Sequence, residues 1–427
     1  MKPVIVEYPL GDDAPQSKLY YGIDVREALR LLPDQSVQMV ATSPPYWGLR
    51  SYNVEGQLGL EETPQEYVEN LVSVFREVRR VLRDDGVVWL NLGDSYVSTP
   101  TGNMGTKCGL DGVKSGSTRY AETVKTQYTK TQRPPVPAGM KMKDLVGIPW
   151  MVAFALRADG WYLRSDVIWA KNAVMPESVR DRPTKSHEYV FLLTKNERYF
   201  YDQDAIKEPH KFNRWSDRKI EDAAVLDSQY EGQAGKTSLL RGGATGFHPP
   251  GGRNKRTVWT VNPKPYKGSH FATWPEKLVE PMILAGSSEE GCCSSCGAPR
   301  VRVIEKKRIK GHNPVVTDDR KELHGPTYSR HKSAIPGGQS MVGYDARTVG
   351  WKPSCKCDAH TIPCTVLDPF SGSATTGLVA MKQGRNYIGI DINAEYLALA
   401  TARLQERAAP EKVKEEDDEP NVLEFLT

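Results

Sequence analysis

No apolar run in this chain approaches the roughly 18 residues that a membrane-crossing helix needs. The first residues, Met1 to Glu7, lack the charged-then-apolar layout of a secretory leader, so the expected location is the cytoplasm. There is no internal repeat. There is also no G-x-x-x-x-G-K-[ST] phosphate loop, which argues against a nucleoside triphosphatase. Cysteine is scarce and uneven: of seven in 427 residues, only Cys108 lies outside the stretch from Cys292 to Cys364. In a cytoplasmic setting such clustering favours a metal over disulfides. Acidic residues are missing altogether from Gly235 to His270, where seven Lys or Arg stand. From Thr99 to Lys143 eight basic residues face two acidic ones. The formal net charge is only +4, so the signal lies in this distribution. Basic, loop-like stretches suit a phosphate backbone. The tail from Pro410 is acidic and reads as disordered.

What is present is an α/β pattern. Leu19 to Ile23 reads as a strand and Val25 to Leu32 as a helix stopped by Pro33. Val37 to Thr42 reads as a buried strand that must end at Pro44 and Pro45, which cannot donate ladder hydrogen bonds. Pro64 to Leu82 places Tyr67, Leu71, Val74, Phe75, Val78 and Leu82 on one helix face. Asp84 to Gly86 reads as a turn into a buried strand over Val87 to Leu92, followed by a long polar loop to Lys143. Leu145 to Asp159 reads as a helix, and Tyr162 to Lys171 and Tyr189 to Thr194 as strands. Gln203 to Pro265 shows no sustained periodicity, and Pro275 to Ala285 is helical. Ser287 to Ile362, rich in turn formers, reads as an insertion. Thr365 to Asp368, Thr375 to Gln383, Asn386 to Asp391 and Ala394 to Gln405 form a βαβα run, the mark of a parallel sheet.

Two segments carry chemistry. Asp368-Pro369-Phe370-Ser371-Gly372-Ser373 leaves a strand and turns into a helix at Thr375 and Thr376. Gly372 permits close approach to a ligand, the helix start attracts polar groups, and Asp368 can meet an ammonium. Asp391 ends the next strand some twenty residues on, a placement suited to a ribose diol. A nucleoside cofactor without phosphates fits. The other segment is Thr42-Ser43-Pro44-Pro45-Tyr46, a stiff loop at a strand's carboxyl end, where ligands sit in open α/β sheets. Ser43 Oγ and the Pro44 carbonyl can accept the two N–H bonds of an exocyclic amine, which is a poor nucleophile until it is held and pyramidalised. The paired prolines preorganise those acceptors, and Tyr46 gives a face on which a base stacks. Such chemistry requires the base to leave the duplex.

These motifs resemble those of the β class of S-adenosylmethionine-dependent DNA amino-methyltransferases, the cytosine-N4 and adenine-N6 family. In that class the catalytic motif precedes the cofactor motif, with target recognition between them. Ser269 to Leu278 resembles the helix-start motif that encloses the cofactor, and Gly160 to Lys195 resembles further family segments. The similarity spans about Leu19 to Lys195 and Phe271 to Arg407. It departs at Ala374, where the cofactor motif commonly has Gly.

The resemblance implies a doubly wound, mostly parallel α/β sheet of Rossmann-like methyltransferase type. It implies catalytic roles for Ser43, Pro44, Pro45 and Tyr46. It implies cofactor contacts from Asp368, Phe370, Gly372, Ser373, Thr375, Asp391, Phe271 and Glu276, with Asp24 as either a further contact or a helix N-cap. Ser at the first catalytic position points to cytosine N4. The alternatives are adenine N6, or a non-catalytic zinc-containing DNA-binding protein on the same fold. Double-stranded DNA is the expected partner, with a homodimer and a cognate restriction endonuclease compatible with the resemblance, in a bacterial or phage-infected cell. Cys293 and Cys296 in a C-x-x-C turn, with Cys355 and Cys357, suit a tetrahedral structural zinc, with Cys292, His360 and Cys364 as possible substitutes. The expected organisation is 1–202 for the catalytic half and 203–265 for target recognition. A cofactor-enclosing helix over 266–288 and a zinc insertion over 289–360 follow, then the cofactor-binding half over 361–409 and the tail 410–427.

Overall fold

In a computed structural model the described residues are 4–8, 15–49, 52, 54–97, 136–174, 176–209, 252–263, 274–309 and 343–408. Among them nine strands join in one sheet: β1 (Val4–Tyr8), β2 (Ser17–Tyr21), β3 (Val37–Thr42), β4 (Leu82–Leu92), β5 (Tyr162–Ala170), β6 (His187–Thr194), β7 (Val258–Thr260), β12 (Thr365–Asp368) and β13 (Asn386–Asp391). Their order is β1-β2-β13-β12-β3-β4-β6-β5-β7. The five consecutive strands from β2 to β4 are mutually parallel, and β5 and β7 also pair parallel. Beyond this centre β1 pairs antiparallel to β2, and β6 pairs antiparallel to both β4 and β5. The sheet is therefore mixed but largely parallel, in keeping with the expectation: five of its eight pairings are parallel, and of the nine strands only β1 and β6 run against the rest. Only β1 and β2 follow each other closely in the chain, as an antiparallel pair can, whereas parallel neighbours need longer crossover connections.

Helices cover both faces. β3 is buried along its whole length, as a central strand covered on two sides must be. Val40, Val88, Leu90, Leu367 and Ile390 belong to one core with residues of α1 (Val25–Arg30), α2 (Pro64–Val81) and α3 (Ile148–Ala158). The alternate residues Met39 and Val87 meet the opposite layer: a Cβ on Gly286 would lie 3.1 Å from Met39 Sδ and 2.9 Å from Val87 Cγ2. That layer holds α4 (Glu276–Gly286), α5 (Thr375–Lys382) and α6 (Tyr396–Ala408).

Helix α2 starts where Thr63 Oγ1 accepts from the Glu66 N–H at 3.1 Å and Pro64 fills the first turn. Its face of Tyr67, Leu71, Val74, Phe75 and Val78 is fully buried. Each large side chain there contributes about 1.5–3 kcal/mol by leaving water. No turn separates α2 from β4. The strand begins at Leu82, and a register shift between Val37 and Met39 absorbs residues 83–86, where a turn was expected.

The chain divides into two compact units. The first comprises Met1–Asp202, Thr257–Pro299 and Cys355–Thr427, and holds the large sheet. It also holds the short pair β8 (Cys292–Cys293) and β11 (Thr361–Ile362). The second comprises Gln203–Arg256 and Arg300–Ser354. Its described part contains the antiparallel hairpin of β9 (Arg300–Ile309) and β10 (Gly343–Pro353). The sequence over 289–360 thus includes regular strands as well as loops, and β7, inside the expected recognition region, is a strand of the main sheet. Most of the basic stretch from Thr99, Cys108, most of 203–265, Phe271 and the tail from Pro410 lie outside the described residues. Among the described residues no helix is long and apolar enough to cross a membrane.

Candidate active site

β12 and β3 are parallel neighbours, with Val366 opposite Met39 and Leu367 opposite Val40. Their carboxyl ends therefore emerge side by side, although 326 positions separate Thr42 from Asp368. The two motifs open onto one cavity of about 410 Å³. Ser43, Pro44, Pro45 and Tyr46 line it together with Asp368, Phe370, Gly372, Ser373, Thr375, Asp391 and Asp24. Of the expected site residues, Glu276 is absent from this lining; it forms an ion pair with Lys382 between α4 and α5. Asp24 is the N-cap of α1, one of the two readings given to it, and its place on the cavity wall leaves the other open. It lines the cavity, and its Oδ1 accepts from the Arg26 N–H at 2.8 Å as the N-cap of α1.

The loop after β3 is held from several sides. Tyr67 donates its hydroxyl to the Pro45 carbonyl at 2.7 Å, and the Gly48 N–H donates to the Gly59 carbonyl at 2.9 Å. Gly93 lies against the Tyr46 ring, where a Cβ would come within 2.4 Å of Cε2, so only glycine lets the ring sit there. Tyr46 donates its hydroxyl to Glu188 Oε2 at 2.7 Å. Asn91 Nδ2, on the last buried turn of β4, donates to Tyr46 Oη at 2.6 Å, to Glu188 Oε2 at 3.0 Å and to Ser43 Oγ at 3.2 Å. Lys171 pairs with Glu188 Oε1 and stands 4.0 Å over the Trp169 ring. Burial and the adjacent Glu188 carboxylate hold the Tyr46 hydroxyl well above the usual phenol range, so it stays protonated. Asn91, Glu188, Lys171 and Trp169 line the cavity and were not singled out in the sequence. One signal existed: Asn91 is the single amide in the apolar run Val87 to Leu92. Asn91 is 1% exposed, yet its Oδ1 has no partner among the described residues. A buried acceptor without a donor at this place fits a ligand N–H.

The second turn is built around buried carboxylates. Asp368 Oδ1 accepts from Thr42 Oγ1 at 2.6 Å and from the Phe370 N–H at 3.1 Å, while Oδ2 accepts from Thr376 Oγ1 at 2.6 Å. It thereby ties β12 to β3 and to α5. Asp391 accepts from the Gly372 N–H and the Asn393 N–H, each at 2.8 Å. Burial pushes both carboxyls up to about 6. Ser371 Oγ sits 2.8 Å from both Tyr21 Oη and Tyr387 Oη. Arg403 Nη1 reaches Ser373 Oγ at 2.6 Å and Thr375 Oγ1 at 3.0 Å. Gly372 adopts φ +49°, and a Cβ there would stand in open space, so its bare backbone opens onto the cavity. Ala374 takes φ +58° at the foot of α5, where the resemblance expects glycine. The chain keeps the left-handed turn and accepts the strain of one methyl group.

A separate cluster lies in the same unit. The sulfur atoms of Cys293, Cys296, Cys355 and Cys357 are all within 4.8 Å of one another. The N–H groups of Cys296 and Ser295 bond the Cys293 sulfur, and the N–H of Cys357 bonds that of Cys355. A tetrahedral zinc with bonds of about 2.3 Å would set sulfur atoms about 3.8 Å apart, close to this spacing. The substitutes weighed from the sequence are placed elsewhere. Cys292 and Cys364 are buried free thiols that share a hydrogen bond, and His360 Nδ1 lies 3.2 Å from Ser294 Oγ.

Comparison with known proteins gives a consistent result. Residues 37–293 and 364–402 match the family model described as DNA methylase. The type II methyltransferase M.XycI of Xanthomonas campestris pv. cyanopsidis is 37% identical over 389 residues, covering 91% of this chain and 88% of its own length. M.SmaI of Serratia marcescens is 36% identical over 384 residues, covering 90% and 89%. Among solved structures, the cytosine-N4-specific PvuII DNA methyltransferase is similar at 16% identity and a TM-score of 0.48, with 95% of this chain and 94% of that one covered.

Proposed function

The chain belongs to the DNA methylase family of N4/N6 amino-methyltransferases, and from that premise we propose that it methylates cytosine N4 at a specific site in double-stranded DNA. One observation carries the assignment of residues: Ser43 and Tyr46 share a single cavity with Phe370, Gly372 and Asp391. S-adenosyl-L-methionine supplies the methyl group as a sulfonium. Asp391, Phe370 and the Gly372 backbone would hold its nucleoside part. Asp368, already bonded by three donors, keeps a lone pair of Oδ2 for a cationic group. Ser43 Oγ and the Pro44 carbonyl hold the two amine hydrogens, and Tyr46 stacks on the extruded base. Holding nitrogen and methyl carbon in line supplies much of the acceleration. Ser43, a neutral acceptor in place of the carboxylate of an Asp, favours cytosine by the family pattern.

The Cys293, Cys296, Cys355 and Cys357 sulfurs fit a structural zinc that ties residues 293–296 to 355–357. Target recognition belongs to 203–265, whose basic, loop-like composition suits DNA. The names of the relatives as type II methyltransferases support a cognate restriction endonuclease as partner.

Modified-base sequencing of DNA from cells expressing the protein tests the assignment. N4-methylcytosine at one defined sequence is expected, and it should vanish with Ser43→Ala. N6-methyladenine at a defined sequence instead would overturn the choice of base.

A further inference from the structure

Transfer of a methyl group to an exocyclic amine leaves the nitrogen with one proton too many, and that proton has to go somewhere in a site closed by DNA. Resting on the amino-transfer reading above, we propose that Glu188 is its terminal acceptor, reached from Ser43 through Tyr46. The hydrogen bonds run in one direction: Ser43 Oγ–H donates to Tyr46 Oη at 3.4 Å, and Tyr46 O–H donates to Glu188 Oε2 at 2.7 Å. Asn91 Nδ2 bonds all three oxygens and fixes their spacing. Among the described residues no other carboxylate bonds Ser43 or Tyr46. The Glu188 side chain is 16% exposed, and Lys171, equally buried, supplies its counter-charge.

The step balances. The amine lone pair forms the C–N bond as the S–C bond breaks, its electron pair remaining on sulfur. The N–H bond breaks as the C–N bond forms, and its pair stays on nitrogen. That proton passes to Ser43 Oγ while the Ser43 proton passes to Tyr46 Oη and the Tyr46 proton to Glu188 Oε2. The products are a neutral methylamine, a thioether and a protonated Glu188, with both hydroxyls restored. A protonated nucleobase amine is a far stronger acid than a carboxylic acid, because its neutral form delocalises the lone pair into the ring. A carboxylate can therefore take that proton. The longer Ser43–Tyr46 bond is the one expected to tighten when an amine presses on Ser43.

Glu188→Gln keeps the shape and the hydrogen bonds to Tyr46 and Asn91 but cannot take a proton. Tyr46→Phe keeps the stacking ring and removes the link. Single-turnover methyl transfer should fall about 100-fold or more in each, a scale set by general acid–base catalysis. DNA and cofactor affinities, by titration, should stay within about threefold. The double variant should be no slower than either single one, because both cut the same path. In mixtures of H₂O and D₂O the wild-type rate should curve with isotope fraction, and in Tyr46→Phe it should become linear, a change that mere positioning would not produce. If Glu188→Gln loses cofactor binding through misfolding, Tyr46→Phe decides the matter. Near-wild-type transfer by Tyr46→Phe, with transfer lost in Ser43→Ala, refutes the relay and leaves the proposed function standing. Undiminished transfer by Ser43→Ala would instead bring down the reading on which the relay rests.

Discussion

At the scale of single residues, the proposed site divides into groups that would face the reacting atoms and groups that would hold them. Ser43→Ala removes an acceptor from the amine and touches no cofactor-side residue. Cofactor affinity by calorimetry should stay within about twofold, while methyl transfer falls 100-fold or more. The buried carboxylates make a second prediction. Burial pushes Asp368 and Asp391 up to about 6 in the folded chain, from 3.8 for an exposed carboxyl. Between those values the unfolded chain has released protons that the folded one still holds. Stability of the cofactor-free protein should therefore fall as pH rises from about 4 to 6, by at most about 3 kcal/mol per group. Affinity for a cationic methyl donor should rise over the same interval as both groups ionise. Paired melting and titration series at pH 5 and 7 check both signs, and Asp391→Asn should flatten the slope of the first. Ser43, Tyr46, Phe370, Gly372 and Asp391 were legible because each stands in a short contiguous motif. Asn91, Lys171 and Glu188 were not, because their meaning arises only across strands: the Tyr46–Glu188 bond spans 142 positions and the Asn91–Ser43 bond 48.

At the scale of elements, the central strands and the helices that cross over them were readable, since apolar runs and 3.6-residue spacing survive burial on both faces. Val37–Thr42, Thr365–Asp368 and Asn386–Asp391 appear as expected from the sequence. The start of β4 was misread because Asp84, Asp85 and Gly86 carry turn chemistry, yet pairing with β3 through a shifted register carries them into the strand. The hairpin of β9 and β10 was hidden among charged residues, with neither strand showing clean alternation. Two elements yield tests. Gly93 follows β4 against Tyr46, and Gly93→Ala would drive a methyl group into the ring. Overpacking of this kind costs about 1–3 kcal/mol. The variant should melt lower and lose transfer while retaining cofactor affinity. The cysteine turns give the other: chelation should release about one zinc per chain by metal analysis. Hydrogen exchange should then rise over residues 292–299 and 355–362 and leave β12 and β13 protected. No bound metal and unchanged exchange would count against a zinc site.

At the scale of the whole molecule, the order of motifs along the chain matters less than the order of strands in the sheet. The Ser43–Tyr46 loop comes first and the Asp368–Ser373 turn last, yet both leave the same end of adjacent parallel strands. The sequence could suggest that meeting only by resemblance, because no local pattern states which strands are neighbours. The same topology explains how the chain tolerates a long insertion between α4 and β12. All residues lining the cavity belong to the unit built from Met1–Asp202, Thr257–Pro299 and Cys355–Thr427. Within that unit the sulfurs of Cys293 and Cys296 lie within 4.8 Å of those of Cys355 and Cys357, so the two ends of residues 300–354 leave and re-enter close together. A few glycines and serines can span such a gap, and closing a short flexible loop costs no more than closing a long one. Replacing residues 300–354 by that linker should therefore leave the fold of the first unit and its cofactor affinity within about twofold of the full chain. Site-specific methylation should drop if the removed residues take part in holding DNA. A shortened protein that no longer binds S-adenosyl-L-methionine would show instead that the first unit depends on the second to form its cavity.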